Sequence, residues 1–174
     1  MSALKITILG CGSSFGVPLF HNIWGKCDPE EPKNKRSRPS ILVQKNGKNL
    51  LIDTSPDLKQ QILGNKIDNI DAVFFTHEHA DHTHGINELR SINLIHRKLI
   101  PCYGNEQTMN KITNSFNYLF ENTAKSYYPA ILSKKHFSSK EFEIVGINIK
   151  LISQNHGDID SIGFIFDNKI AYNL

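Results

Sequence analysis

Residues Thr76 to Gly85 read Thr-His-Glu-His-Ala-Asp-His-Thr-His-Gly, which places His77, His79, Asp81 and His82 within six consecutive positions. The apolar run Ala72-Val73-Phe74-Phe75 stands directly before them. Its β-branched and aromatic residues, with Ile70 two places ahead, predict a short buried strand. Gly85 then opens a helical pattern through Ile86, Leu89 and Ile92. The histidines thus fall in a strand-to-helix loop, where several side chains can bend towards one point. Imidazole with carboxylate is the ligand set of zinc, manganese or iron. Such a density of neutral and acidic donors has no folding rationale, so a divalent metal site is expected here.

Around this loop the chain alternates short strands and helices, the pattern of a mixed α/β domain. Leu4 to Leu9 is predicted as an opening strand that runs into Gly10-Cys11-Gly12-Ser13-Ser14-Phe15-Gly16-Val17-Pro18. A dinucleotide-binding turn is excluded there by the glycine spacing and by Pro18. Residues Phe20 to Arg38 lack apolar periodicity and form a loop. Its His21 and Cys27 are too few to close a tetrahedral zinc site. Ser40 to Val43 and Asn49 to Ile52 are strands joined through Asn46-Gly47. Asp53 ends the second of them, and a short helix over Leu58 to Leu63 follows, with Ser55 or Asp57 as its N-cap.

Beyond the histidine loop, Gly85 to Ile95 is predicted as helix, Leu99 to Tyr103 as strand, and Asn105 to Phe120 as one helix with Met109, Ile112, Phe116 and Leu119 along its core stripe. Glu121 to Phe142 gives no firm pattern, and its Tyr127, Tyr128 and His136 are left without a role. Phe142 to Val145, Ile147 to Ser153, Ile162 to Phe166 and Ile170 to Tyr172 are strands, with Gly146 and Asp167-Asn168 as turns. His156 lies between two of them.

The His-x-His-x-Asp-His string resembles the signature of the metallo-β-lactamase superfamily, metal-dependent hydrolases built as an αββα sandwich. Gly-x-Gly-Ser-Ser-x-Gly-Val-Pro resembles the opening of one branch, the phosphoribosyl cyclic phosphate phosphodiesterases, and the likeness runs from residue 4 to the end. The resemblance implies that Gln154-Asn155-His156-Gly157-Asp158 carries a third metal histidine, so that His77, His79 and His156 hold one ion. Asp81 and His82 would face a second, with Asp81 the candidate catalytic carboxylate. In Asp53-Thr54-Ser55-Pro56-Asp57 it implies that Asp53 orients a ligating histidine from behind. The run Lys33 to Arg38 is either a solvated basic loop or a phosphate contact through Arg36 or Arg38, whose planar guanidinium suits a two-donor fork. Arg90 suits a salt bridge as well as it suits a substrate.

Intact relatives use a bridging aspartate and a late histidine for two ions. Neither is found here, since Lys169 to Leu174 resembles the strand leading into that aspartate. The expectation is a single domain over residues 1–174 with its second half incomplete, holding one ion of zinc or manganese, with impaired turnover. The expected substrate is a small cyclic phosphate or similar phosphodiester. The alternatives are a tRNA 3′-processing endoribonuclease and a non-catalytic metal-binding remnant.

Composition narrows the setting. A formal net charge of +3 is far below that of a dedicated nucleic-acid module, so nucleic acid is not the favoured partner. Three scattered cysteines imply no disulfide framework. Without a signal-like start or a long apolar run, a cytoplasmic protein with no membrane partner is expected, and a homodimer is compatible with the sequence.

Overall fold

The computed structural model describes residues 3–122 and 129–174. Tyr127 and Tyr128 lie outside the described residues. The first strands are β1 (Lys5–Gly10), β2 (Ser40–Lys45) and β3 (Lys48–Ile52), followed by helix α1 (Leu58–Gly64) and strand β4 (Ala72–Phe74). Helices α2 (Ala80–Thr83) and α3 (Leu89–His96), strand β5 (Ile100–Gly104), helices α4 (Glu106–Ser115) and α5 (Asn117–Phe120), and strand β6 (Leu132–His136) come next. The rest is β7 (Glu141–Ile144), β8 (Ile147–His156), β9 (Ile159–Phe166) and β10 (Ile170–Tyr172).

Strands β1 to β6 form one sheet in sequence order, and β10-β9-β8-β7 form a second. In the first sheet β1, β2 and β3 run antiparallel, whereas β3 to β6 pair in parallel. The second is antiparallel throughout. Alternation along β2, β3 and β4 explains the layering, since successive side chains point to opposite faces. Leu42, Leu51 and Val73 face the helices, where they meet Leu58, Leu89, Met109 and Ile112. Ile41, Val43, Leu50, Ile52 and Phe74 face the second sheet, where Ile147, Ile149, Phe164 and Phe166 pack against them. The layers are therefore helix, sheet, sheet. Among the described residues no helix follows β6, and none is long and apolar enough to cross a membrane.

Several expected elements are redrawn. The helix expected over Asn105 to Phe120 is interrupted at Phe116, which leaves helical geometry at φ −126° and ψ 37°. The helix expected from Gly85 starts at Leu89, after a single tight turn over Ile86–Glu88. Strand β6 occupies part of the stretch that gave no pattern, pairing from Ile100↔Leu132 to Gly104↔His136. Strands β8 and β9 meet in a hairpin that pairs as far as His156↔Ile159, so His156 ends a strand instead of lying in a longer loop. The turn between them is Gly157-Asp158, with Gly157 at φ +69°.

Phe74 fastens the two sheets together. Its ring is fully buried and lies 5.2 Å from those of Tyr103 and Phe137, 5.5 Å from Phe164 and 5.9 Å from Phe142. Truncating a buried phenylalanine removes its transfer energy and leaves a cavity, together costing about 3–5 kcal/mol. Phe74→Ala is expected to lose stability on that scale in guanidinium unfolding, and Phe74→Leu distinctly less.

Candidate metal centre

The candidate site lies at the carboxyl ends of β3 and β4, where the chain leaves the sheet and backbone groups need new partners. Asp53 follows β3 directly and adopts a left-handed conformation at φ +60°, which costs a non-glycine residue roughly 1 kcal/mol. That turn aims its fully buried carboxylate across the top of β4. One oxygen accepts the Thr76 backbone N–H at 2.8 Å. The other accepts the Thr76 hydroxyl at 2.8 Å and lies 2.7 Å from His82 Nδ1.

These bonds set the proton on each ring. The Thr76 hydroxyl donates to Asp53, so its oxygen accepts from His77 Nδ1, 2.9 Å away. His82 likewise donates from Nδ1 to Asp53. Both rings are left with Nε2 turned away from the carboxylate. His77 Nε2 lies 3.0 Å from His79 Nδ1, and His82 Nε2 lies 3.3 Å from an Asp81 oxygen. The second sheet brings the last imidazole. The Ile162 N–H donates to the Thr76 carbonyl at 2.9 Å, which pins the β8–β9 hairpin to the motif and sets the His156 ring centroid 4.7 Å from that of His77.

His77, His79 and His156 can thus offer three nitrogens that all lie within 4.8 Å of one another. Tetrahedral zinc with bonds of about 2.0–2.1 Å to nitrogen would set its ligands roughly 3.3 Å apart. The donor set therefore fits a divalent ion with little movement. His77 is buried, whereas His79 and His156 are exposed, so the fourth side of the group opens to solvent. Asp81 and His82 form a second donor pair beside it.

Electrostatics divides the rings. Burial first, then the neighbouring His82, His79 and His156, push the His77 imidazolium down to about 3. A neutral ring with a free lone pair is the state a metal ligand requires. Burial also works against charge on His82, but the hydrogen bond to Asp53 and the charges of Asp53 and Asp81 outweigh it and raise the ring above its ordinary value.

The loop is held from two further sides. Thr54 donates its N–H to the His82 carbonyl at 2.7 Å, and Gly85 donates to the Thr54 carbonyl at 2.9 Å. A side chain at Gly85 would overlap the Ser55 carbonyl oxygen. From α4, Lys111 at 2.8 Å and the Thr108 hydroxyl at 2.9 Å hold Glu78, the residue between the first two histidines. Sequence reasoning passed over Thr76, Glu78 and Lys111. The first two stand inside or beside the motif, whereas nothing in the sequence marks Lys111 as their neighbour. Tyr172, from β10, has its phenol pushed up by burial and then by the Asp53 charge.

The remaining candidates separate. Arg38 binds Asp57 through Nε at 2.9 Å and Nη2 at 2.5 Å. Asp57 therefore makes no side-chain cap to α1, and its expected capping role is replaced by this ion pair. The Arg38 guanidinium is raised by the Asp57 hydrogen bond, against burial, and further by the charges of Asp57 and Asp81. Arg36 points elsewhere, with Nη1 3.0 Å from the Cys11 sulfur. His136 ends β6 in an exposed position, outside the histidine group.

Residues 48–173 match a family model described as a beta-lactamase superfamily domain. A Porphyromonas gingivalis protein named octanoyltransferase is 34% identical over 92% of this chain and 32% of its own length. A ribonuclease Z of Clostridium kluyveri is 30% identical over 88% of this chain and 46% of its own. The chain therefore spans about a third to a half of these curated relatives. Among solved structures, a diphosphatase of the PhnP family superposes with a TM-score of 0.78 at 31% identity, covering 94% of this chain and 62% of that one. Human short-form tRNase Z gives a TM-score of 0.63 at 19% identity over 95% of this chain and 66% of that one, a likeness of fold alone.

Removing a carboxylate that orients metal-binding histidines typically costs 10 to 100-fold in metal affinity. Asp53→Ala is expected to weaken zinc binding by about that factor in a competitive chelator titration. In the metal-free protein, the depressed His77 makes folding favourable above the unfolded-state value of 6.5, and this contribution drains away as pH falls towards about 3. The midpoint of thermal unfolding should fall over that window, and less steeply in His77→Gln.

Proposed function

The chain belongs to the metallo-β-lactamase superfamily, and on that premise we propose that it is a metal-dependent hydrolase acting on a small phosphodiester, such as a cyclic phosphate. The observation that carries this reading is the convergence of three imidazole nitrogens within 4.8 Å beside the Asp81–His82 pair. The likeness to a diphosphatase over 94% of the chain supports phosphorus as the reacting centre. A divalent ion held by these rings, zinc or manganese by donor type, would stabilise charge on a phosphoryl oxygen and make water more acidic.

In this reading His77, His79 and His156 present neutral lone pairs to the ion, and Asp53 fixes the His82 ring directly and the His77 ring through Thr76. Asp81 and His82 face the reacting phosphate. There Asp81, whose carboxylate lies 3.3 Å from His82 Nε2, is the group assigned to accept the proton of the attacking water. Arg38, held by Asp57 and within the influence of Asp81, supplies positive charge to the phosphate. Arg36, turned towards Cys11, is the weaker candidate for that contact.

A second reading is favoured by the 30% identity to the Clostridium kluyveri ribonuclease Z, which would make the substrate RNA. Phosphate contacts along an RNA make binding steeply salt-dependent, and this separates the two. Protein prepared with zinc or manganese is expected to hold about one ion per chain by elemental analysis, and His156→Ala to lose it. Hydrolysis of bis(p-nitrophenyl) phosphate should follow the loaded fraction and change little with salt. Precursor tRNA cleavage that collapses with salt would favour the RNA reading, whereas one bound ion without hydrolysis of either substrate would mark a metal-binding remnant. An ion content near zero would overturn all three.

A further inference from the structure

The imidazoles of the candidate centre are not supported alike. Asp53 bonds the His82 ring directly and reaches the His77 ring through Thr76. The Ile162 N–H, bonded to the Thr76 carbonyl, ties down the hairpin that carries His156. His79 stands outside this scheme. It is exposed, and among the described residues its ring nitrogens have no hydrogen-bond partner but His77, whose Nε2 lies 3.0 Å from His79 Nδ1. With no carboxylate, hydroxyl or carbonyl holding the ring, its place is set by its own backbone.

That backbone is gripped on both sides. Behind it, the His79 carbonyl accepts the His82 N–H at 3.0 Å and the Thr83 hydroxyl at 2.9 Å, in the turn of α2. Ahead of it, the Glu78 side chain, only 7% exposed, turns away from the rings towards α4. Lys111 Nζ at 2.8 Å and Gln107 Nε2 at 3.4 Å reach its Oε1, and the Thr108 hydroxyl at 2.9 Å reaches its Oε2. Helical residues three and four apart share a face, so one turn of α4 presents all three donors. The helix is itself fixed, since Met109 and Ile112 are buried in the core and the Asn105 side chain caps it by accepting the Thr108 N–H at 2.7 Å.

We infer that Lys111 is a positioning residue for His79, acting through Glu78 to hold in place the one ligand of the three that neither Asp53 nor the hairpin secures. This rests on the metal reading and adds to it a residue from another element of the fold. A ring that the ion has to order for itself loses binding energy to that ordering, so a backbone held beforehand raises affinity. Folding gives the pair little purpose, because Lys111 is 57% exposed and an ion pair with its cation in solvent adds little to stability. The sign of the effect separates positioning from charge. Taking a cation away from an ion site would, by charge alone, tighten the binding of a divalent ion, whereas loss of positioning weakens it.

Lys111→Met keeps the apolar stem and removes the charge. It is expected to weaken zinc binding about tenfold in a competitive chelator titration, the low end of what losing a ligand-orienting group costs. Lys111→Arg should bind close to the unaltered chain. Because the two residues act as one unit, the loss in Lys111→Met should not multiply with that in Glu78→Gln. Each titration is run where circular dichroism shows the metal-free variant fully folded, which removes unfolding as a cause. In the metal-free chain the His82 amide, bonded to the His79 carbonyl, should exchange its hydrogen severalfold faster in Lys111→Met. Unchanged or tighter zinc binding in Lys111→Met, losses that multiply in the double variant, or equal exchange at His82 would overturn the assignment. Failure of the metal reading itself would look different: no zinc taken up by the unaltered chain, with the exchange difference at His82 still present.

Discussion

The fully buried Asp53 carboxylate holds this site together. A carboxylate removed from water costs several kcal/mol unless its oxygens are satisfied, and here Thr76 supplies two donors and His82 a third. The three donors come from two parts of the fold, the segment just after β4 and the short helix α2. The bonds that offset the desolvation of Asp53 are therefore the same bonds that fix the histidine loop to the sheet.

The two cores have a corresponding division of labour. The helix-facing core under α1, α3 and α4 carries the elements that brace the loop, with α4 reaching Glu78 through Lys111 and Thr108. The aromatic core around Phe74 holds the second sheet in place, and with it His156. A histidine separated from the others by more than seventy positions in the chain joins them because the Ile162 N–H finds the Thr76 carbonyl. Packing between sheets sets the distance, and that single backbone bond sets the register.

The histidine-rich loop and β4 were legible because each is a local pattern: donors at fixed spacing, and an apolar run before them. The elements that escaped are those whose stability is non-local. Leu-Ser-Lys-Lys-His of β6 carries little strand character, and its pairing depends on the backbone of β5 beside it. Gln154-Asn155-His156 reads as loop because it is polar, yet the β8–β9 ladder runs through it, closed by a turn that Gly157 permits at φ +69°. The basic run before β2 hid a difference between neighbours. Arg36 and Arg38 share one face in an extended chain, but Asp57 stands within reach of only the second. No spacing rule anticipates that choice, because it is made by the arrival of α1 against β1.

The electrostatics of the four imidazoles follow from the same arrangement. His77 sits among His79, His82 and His156 with ring centroids 4.2 to 4.7 Å away, so charge on it would meet like charge in a dry environment, and burial alone already disfavours it. It stays a neutral donor. His82 is also buried, but it touches Asp53 on one nitrogen and faces Asp81 on the other, and these carboxylates draw positive charge towards it. A proton and a metal cation compete for the same potential there. The surroundings that raise His82 are therefore those that would favour a cation at its edge, while the surroundings that depress His77 keep a lone pair free to bind it. The Asp53 carboxylate raises His82 by direct contact and orients His77 through Thr76, whereas burial and the surrounding rings are what keep His77 neutral.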